Sequence, residues 1–128
     1  MTRFAALSLL LMICVPGIAG NDPSIKGALR ENIQDAMLDH IKEIKLDGAY
    51  VIYDPVEGEL LKMALEELHT GIVKKGNFYV SCADFKTADG VKYDLDFMVA
   101  ESQGRLKVFQ ALIHKAGENK RAYHLEEL

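Results

Sequence analysis

Hydrophobic residues recur every three or four positions between residues 25 and 44, which predicts one long amphipathic helix. Asp22 and Pro23 are typical of a helix start, because aspartate caps unpaired N–H groups and proline suits the first helical position. We expect the helix to end near Gly48. Its apolar stripe, which should lie against a large flat surface, comprises Ile25, Leu29, Ile33, Met37, Ile41 and Ile44.

After Gly48 the pattern changes to short apolar runs separated by turn residues, which predicts antiparallel strands. One segment, 59–69, is ambiguous because its residues are good helix formers. Leu61, Met63 and Leu65 nevertheless alternate with other residues as in a half-buried strand, and a turn precedes them, so we interpret 59–69 as a strand. The other strands are predicted at 49–53, on both sides of a turn within 78–99, at 106–114 and at 122–125.

The hairpin 78–99 is the centre of the predicted sheet. Its turn, 87–90, fits a three-residue loop with Gly90 in the left-handed conformation, and this register places Phe85 opposite Tyr93. The apolar side chains then fall on one face, which should meet the helix. The opposite face carries Val80, Cys82, Asp84, Lys92, Asp94, Asp96 and Met98.

A two-residue loop at Asp89 and Gly90 would give a different register, with Asp84 turned into the core. A carboxylate there would need hydrogen-bond partners or a raised pKa. We prefer the three-residue loop because it separates the apolar from the polar side chains.

One long N-terminal amphipathic helix followed by about five antiparallel strands predicts an α+β domain in which a curved sheet wraps the helix. This element order resembles the cystatin-like folds, including the related wrapped-sheet domains of the nuclear-transport-factor-2 type. The resemblance covers most of the chain after residue 19. The Gln-x-Val-x-Gly loop of true cystatins is absent, so it does not imply protease inhibition, and the three-helix start usual in the transport-factor type is also missing.

Residues 1–19 have the pattern of a secretory signal peptide, with a basic start at Arg3, an apolar run and small residues before position 20. The apolar run is shorter than the roughly 20 residues of a membrane span, so we favour a cleaved signal over an uncleaved anchor. The bulky Ile13 before Cys14 argues against a lipoprotein site. We therefore expect a single domain at 20–128, periplasmic or secreted, without a stable membrane span.

Net charge and cysteine content restrict the classes of partner and the thiol chemistry that we expect. A formal net charge of −4 without a basic run argues against nucleic acid and against anionic membrane surfaces. Cys14 would leave with the signal peptide, so Cys82 would have no partner for an intramolecular disulfide. A lone cysteine is more often a small buried hydrophobe than a reactive thiol.

Asp84, Asp94 and Asp96 share one face of the predicted hairpin. They could bind a hard cation such as calcium or magnesium, or share a proton for acid–base catalysis. We favour a solvated sheet face on which Lys92 and Lys107 reduce the repulsion, because no loop has the spacing of a cation site.

His69, His114 and His124 could gather with Cys82 as zinc or copper ligands, but the tight ligand spacing of known motifs is absent. A Cys–His nucleophile pair lacks support too, because Cys82 is predicted in mid-strand, not at a helix start where its pKa would fall. We therefore expect no cofactor and no metal, and assign no catalytic residue.

The sequence favours an exported, non-catalytic binding or interaction module for an unknown protein or small-molecule ligand, including a homodimer through a sheet edge. The alternative is a small pocketed enzyme that uses an aspartate–histidine pair, and the third hypothesis is a cation-binding or thiol-redox accessory protein. The candidate residues for a ligand or partner are Cys82, Asp84, Asp94, Asp96, His114 and His124.

Overall fold

The computed structural model describes residues 20–122. All of its strands belong to one antiparallel sheet, in which each strand pairs with its neighbours in sequence. The predicted signal peptide at 1–19 and positions 123–125 of the predicted last strand lie outside the described residues. The elements are α1 (Gly27–Glu43), β1 (Lys45–Leu46), β2 (Ala49–Asp54), β3 (Glu59–Lys75), β4 (Phe78–Thr87), β5 (Lys92–Ser102), β6 (Arg105–Ala116) and β7 (Asn119–Lys120).

The predicted fold class, a long N-terminal helix on a sheet of about five strands, is wrong. The sheet has seven strands and holds 58% of the described residues, against 17% for the helix. The helix begins at Gly27 because Asp22 closes a turn, accepting hydrogen bonds from the backbone N–H and the hydroxyl of Ser24. No helix within residues 20–122 has the length and apolar character needed to cross a membrane.

The helix also ends before the predicted position, because Asp47 and Gly48 form the turn of a small hairpin. Both residues have positive φ angles, 53° and 79°, as a two-residue type I′ turn requires. This turn joins β1 to β2, so the two residues of β1 belong to a strand and not to the end of the helix as predicted. The apolar stripe continues to Ile44, and its helical spacing obscured the Asp-Gly hairpin signal directly after it.

Segment 59–69 is a strand, as interpreted, and β3 continues beyond it to Lys75. Leu61 and Met63 are buried, and β3 pairs with β2 on one side and with β4 on the other. Pairing on both sides and burial of alternate residues outweigh a helical preference of a few tenths of a kcal/mol per residue.

The hairpin of β4 and β5 has the preferred register. Phe85 pairs with Tyr93, and Asp84 pairs with Asp94. Gly90 has a φ of 88°, the left-handed conformation expected for the three-residue loop. The predicted division of the hairpin into two faces is therefore confirmed.

One face of the sheet packs on α1 and forms the main core. Its aromatic centre contains Tyr50, which stacks on Phe85 at a centroid distance of 5.0 Å, and Phe97. His40, on the helix, lies against this group with Nε2 3.0 Å from the Tyr50 hydroxyl. Other core residues are Ile33, Met37, Ile41, Leu61, Met63, Ile72, Ala83, Leu95 and Val99.

The opposite face of the central strands is also buried. Val80 and Met98, a cross-strand pair, form a second apolar cluster, against which Val73, Phe78 and Leu112 pack. Cys82 and Asp96, next to this second cluster, are themselves buried, and Asp84 is half-buried, so the interpretation of that face as solvated is wrong.

The end of β2 is tied to the residues after β7 by a buried ion pair. Asp54 is fully buried, and its Oδ2 lies 2.6 Å from Nη2 of the largely buried Arg121. Oδ1 of Asp54 accepts a hydrogen bond from the backbone N–H of Val56 in the following turn. Beside this ion pair lies an apolar groove of about 520 Å³, lined among others by Ile52, Tyr53, Leu112 and Ile113.

Candidate functional site

The second face of the β4–β5 hairpin brings a thiol and three carboxylates together in two adjacent rows. Cys82 pairs with Asp96, and the next outward-facing pair along the strands is Asp84 with Asp94. Residues directly opposite in an antiparallel pair have closely spaced side chains, so these four groups form one cluster.

Two irregularities in the neighbouring strands add the histidines. On β6, Ile113 pairs with Leu95 and Lys115 with Asp94, so His114 is an inserted residue at a bulge. On β3, the three residues 69–71 lie opposite the single residue Cys82, and this stretch includes His69. The bulges place one imidazole at each side of the hairpin cluster.

The inner part of the cluster is almost inaccessible to solvent. Cys82 is 2% exposed, Asp96 1% and His114 7%. The Cys82 thiol donates a hydrogen bond of 2.8 Å to Asp96 Oδ1, and His114 Nδ1 lies 2.9 Å from the same oxygen. One carboxylate oxygen thus connects the thiol and the imidazole.

The outer part of the cluster is half-buried. His69 Nε2 lies 2.9 Å from Asp84 Oδ1, with side-chain exposures of 24% and 30%. Asp94 lies between the outer and inner parts, and its Oδ2 is 3.8 Å from His114 Nδ1. Asp94 Oδ1 is buried and accepts no hydrogen bond from any residue in the range 20–122.

The surroundings of Asp94 shift the pKa of its carboxyl group. Burial raises its pKa to about 6. His69 and His114 act against this rise in pKa, and the nearby carboxylates of Asp84 and Asp96 contribute to it. An unpaired buried oxygen on a carboxylate of this kind costs folding free energy unless a cation or a donor is supplied.

Two groups of potential metal ligands result, and they share Asp94. The first comprises Cys82, Asp94, Asp96 and His114, and the second comprises His69, Asp84 and Asp94. Within each group the ligand atoms all lie within 4.8 Å of one another. A tetrahedral zinc ion separates its ligand atoms by about 3.4 Å, so small side-chain movements would suffice to bind an ion in the first group.

Five of the six candidate residues therefore converge: Cys82, Asp84, Asp94, Asp96 and His114. His124 lies outside the described residues. His69 is not among the six candidates; the bulge of β3 that carries it toward Asp84 has no clear signal in the sequence. Of the lysines expected to neutralise this face, Lys92 lies 3.7 Å from Glu66, and Lys107 pairs with Ala100, several residues away along β5.

The burial of Cys82 bears on its chemistry. A nucleophilic thiol must reach its substrate, whereas this thiol is in mid-strand and 2% exposed. A buried thiol beside imidazole and carboxylate is better suited to hydrogen bonding or to metal coordination.

No protein family, curated protein or solved structure matches the chain.

Proposed function

We propose that this protein is a small binding module whose ligand is a divalent transition-metal ion of the zinc class. The observation that carries the proposal is the convergence of Cys82, Asp94, Asp96 and His114 from three consecutive strands into one largely buried ligand group. We propose further that the module is exported, which the amino-terminal pattern of residues 1–19 supports.

The types of ligand favour zinc over the hard cations considered from the sequence. Calcium and magnesium take oxygen ligands almost exclusively, whereas thiolate and imidazole suit zinc and its neighbours in the transition series. Only two of the four groups, Asp94 and Asp96, are carboxylates. Copper has overlapping preferences, so it is the main competitor for the same ligands.

Coordination also accounts for the buried polar atoms of the cluster. A metal ion would displace the proton of the Cys82 thiol and the proton between His114 Nδ1 and Asp96 Oδ1. Its positive charge would lie close to the Asp94 carboxylate, whose Oδ1 has no donor from residues 20–122. Hydrogen bonds alone leave that oxygen without a donor from residues 20–122. Metal binding therefore explains the cluster better than a hydrogen-bonded core network does.

Calorimetric titration of the purified protein with Zn²⁺, in competition with a chelator, tests the proposal. We expect tight binding that weakens at least about 100-fold in Cys82→Ser and in His114→Gln, because each removes one ligand. Both substitutions preserve the approximate size and polarity of the side chain, and circular dichroism would verify that the variants are folded.

His40→Gln is the matched control for the histidine variant, because His40 lies on the other face of the sheet, against Tyr50. Glu101→Gln is the control for charge, since Glu101 is exposed on β5 away from the cluster. Both controls should bind Zn²⁺ like the parent protein. Equal affinity in folded Cys82→Ser and parent protein would refute the proposal.

A further inference from the structure

We propose that the cluster holds two divalent ions, with Asp94 as the bridging carboxylate. The second ion would be bound by His69 and Asp84, and by water in its remaining positions. This inference rests on the proposed function, because the first ion occupies the buried group already described. It assigns the half-buried residues His69 and Asp84 to the same metal centre.

The position of Asp94 is the first argument. It is the residue common to both ligand groups, and its two oxygens have different surroundings. Oδ2 lies near His114, whereas Oδ1 is buried without a donor from residues 20–122. A carboxylate that uses one oxygen for each ion is the usual bridge in centres where two ions lie about 3.5–4 Å apart.

Charge balance is the second argument. Ionised Cys82, Asp84, Asp94 and Asp96 carry four negative charges together. One divalent ion would leave two of these charges on a largely buried face, where protonation of His69 beside Asp84 would offset only one of them, whereas two ions neutralise all four. Nearby lysines already have acidic partners: Lys86 and Lys92 contact Glu66, and Lys115 contacts Glu118.

The two positions differ in their access to solvent. The first has four protein ligands and is nearly closed, which is typical of a structural zinc ion. The second has three protein ligands, and the His69 and Asp84 side chains are 24% and 30% exposed. Its remaining coordination positions would be accessible to water and to small ligands with oxygen donors, as in open metal sites.

Native mass spectrometry during titration with Zn²⁺ counts the ions directly. We expect two ions on the parent protein, and one on His69→Gln and on Asp84→Asn. The ion retained by these two variants should bind with an affinity within a few-fold of that of the tighter site in the parent protein. His40→Gln, the matched histidine control, should bind two ions.

The possible results separate the two proposals. A single ion that depends on Cys82 but not on His69 would overturn the second site and leave the proposed function intact. A single ion lost in both Cys82→Ser and His69→Gln would also overturn the second site, because all the ligands would then serve one ion. If the parent protein binds no zinc ion at all, both proposals are overturned.

Discussion

Replacing Asp54 by alanine is expected to lower the free energy of unfolding by about 3–5 kcal/mol, because it leaves a buried guanidinium without its counter-charge. Asp54 is fully buried, and its Oδ2 lies 2.6 Å from Arg121 Nη2. The substitution also removes the acceptor for the Val56 N–H. Urea denaturation of the parent protein and the variant measures the loss.

The exposed ion pair between Asp47 and Lys62 is the matched control, because its distance of 2.7 Å is nearly the same. Asp47→Asn should leave the unfolding midpoint nearly unchanged, since exposed pairs contribute little and asparagine tolerates the positive φ of this position. Adding Arg121→Met to Asp54→Ala should recover a large part of the lost stability, because the second change removes the uncompensated charge. Equal effects of Asp54→Ala and Asp47→Asn would contradict the role assigned to burial.

Asp94→Asn is expected to have opposite effects with and without metal. The asparagine is neutral and nearly isosteric, so it should weaken Zn²⁺ binding at least about 100-fold. In metal-free protein at pH 7.5, the same variant should be more stable than the parent by about 1–2 kcal/mol. This figure is smaller than the full pKa shift implies, because the Asp94 side chain keeps 20% exposure to the screening solvent.

The expected pH dependence follows from the direction of the Asp94 shift. Its pKa is about 6 in the folded protein and near 3.8 in the unfolded chain, so folding favours the protonated form. The stabilisation due to protonation is full below pH 3.8 and is lost as the pH rises through 6. The metal-free variant and parent should therefore converge in stability near pH 4 and diverge toward pH 7.5.

Thermal unfolding with a chelator, and then with Zn²⁺, measures both effects of Asp94→Asn. Zinc at 100 times the dissociation constant should stabilise the parent protein by about 2.7 kcal/mol, and it should have little effect on the variant. Glu101→Gln should behave like the parent under both conditions. A metal-free Asp94→Asn variant that is less stable than the parent at pH 7.5 would show that the ionised carboxylate stabilises the fold.

The hairpin of β4 and β5 shows what local sequence can determine. Its register depends on one turn and on the separation of apolar from polar residues, and both signals lie within residues 78–99. The pairing of Asp84 with Asp94 was therefore predictable, and the structure confirms it. Similar reasoning identified 59–69 as a strand from its alternating pattern and the turn before it, although β3 continues to Lys75.

The bulges and the burial of the second face could not be predicted in this way. An inserted residue such as His114 changes which side chains meet across two strands, yet it leaves the amino-acid pattern of each strand nearly unchanged. The groups packed beside Cys82 and Asp96 lie outside the hairpin: His114 of β6 contacts Asp96, and Val73 of β3 and Leu112 of β6 pack on the neighbouring Val80–Met98 cluster. With only the sequences of β4 and β5 to judge from, three aspartates on one face predicted that this face is exposed to solvent.

The absorption spectrum of the Co²⁺-substituted protein is the most direct test of the proposed metal site, because cobalt replaces zinc and reports its ligands. Coordination by Cys82, Asp94, Asp96 and His114 predicts a thiolate-to-cobalt charge-transfer band and the intense visible bands of tetrahedral cobalt. The charge-transfer band should disappear in Cys82→Ser and persist in His40→Gln. A weak octahedral spectrum without a charge-transfer band, in an excess of folded parent protein, would contradict the account.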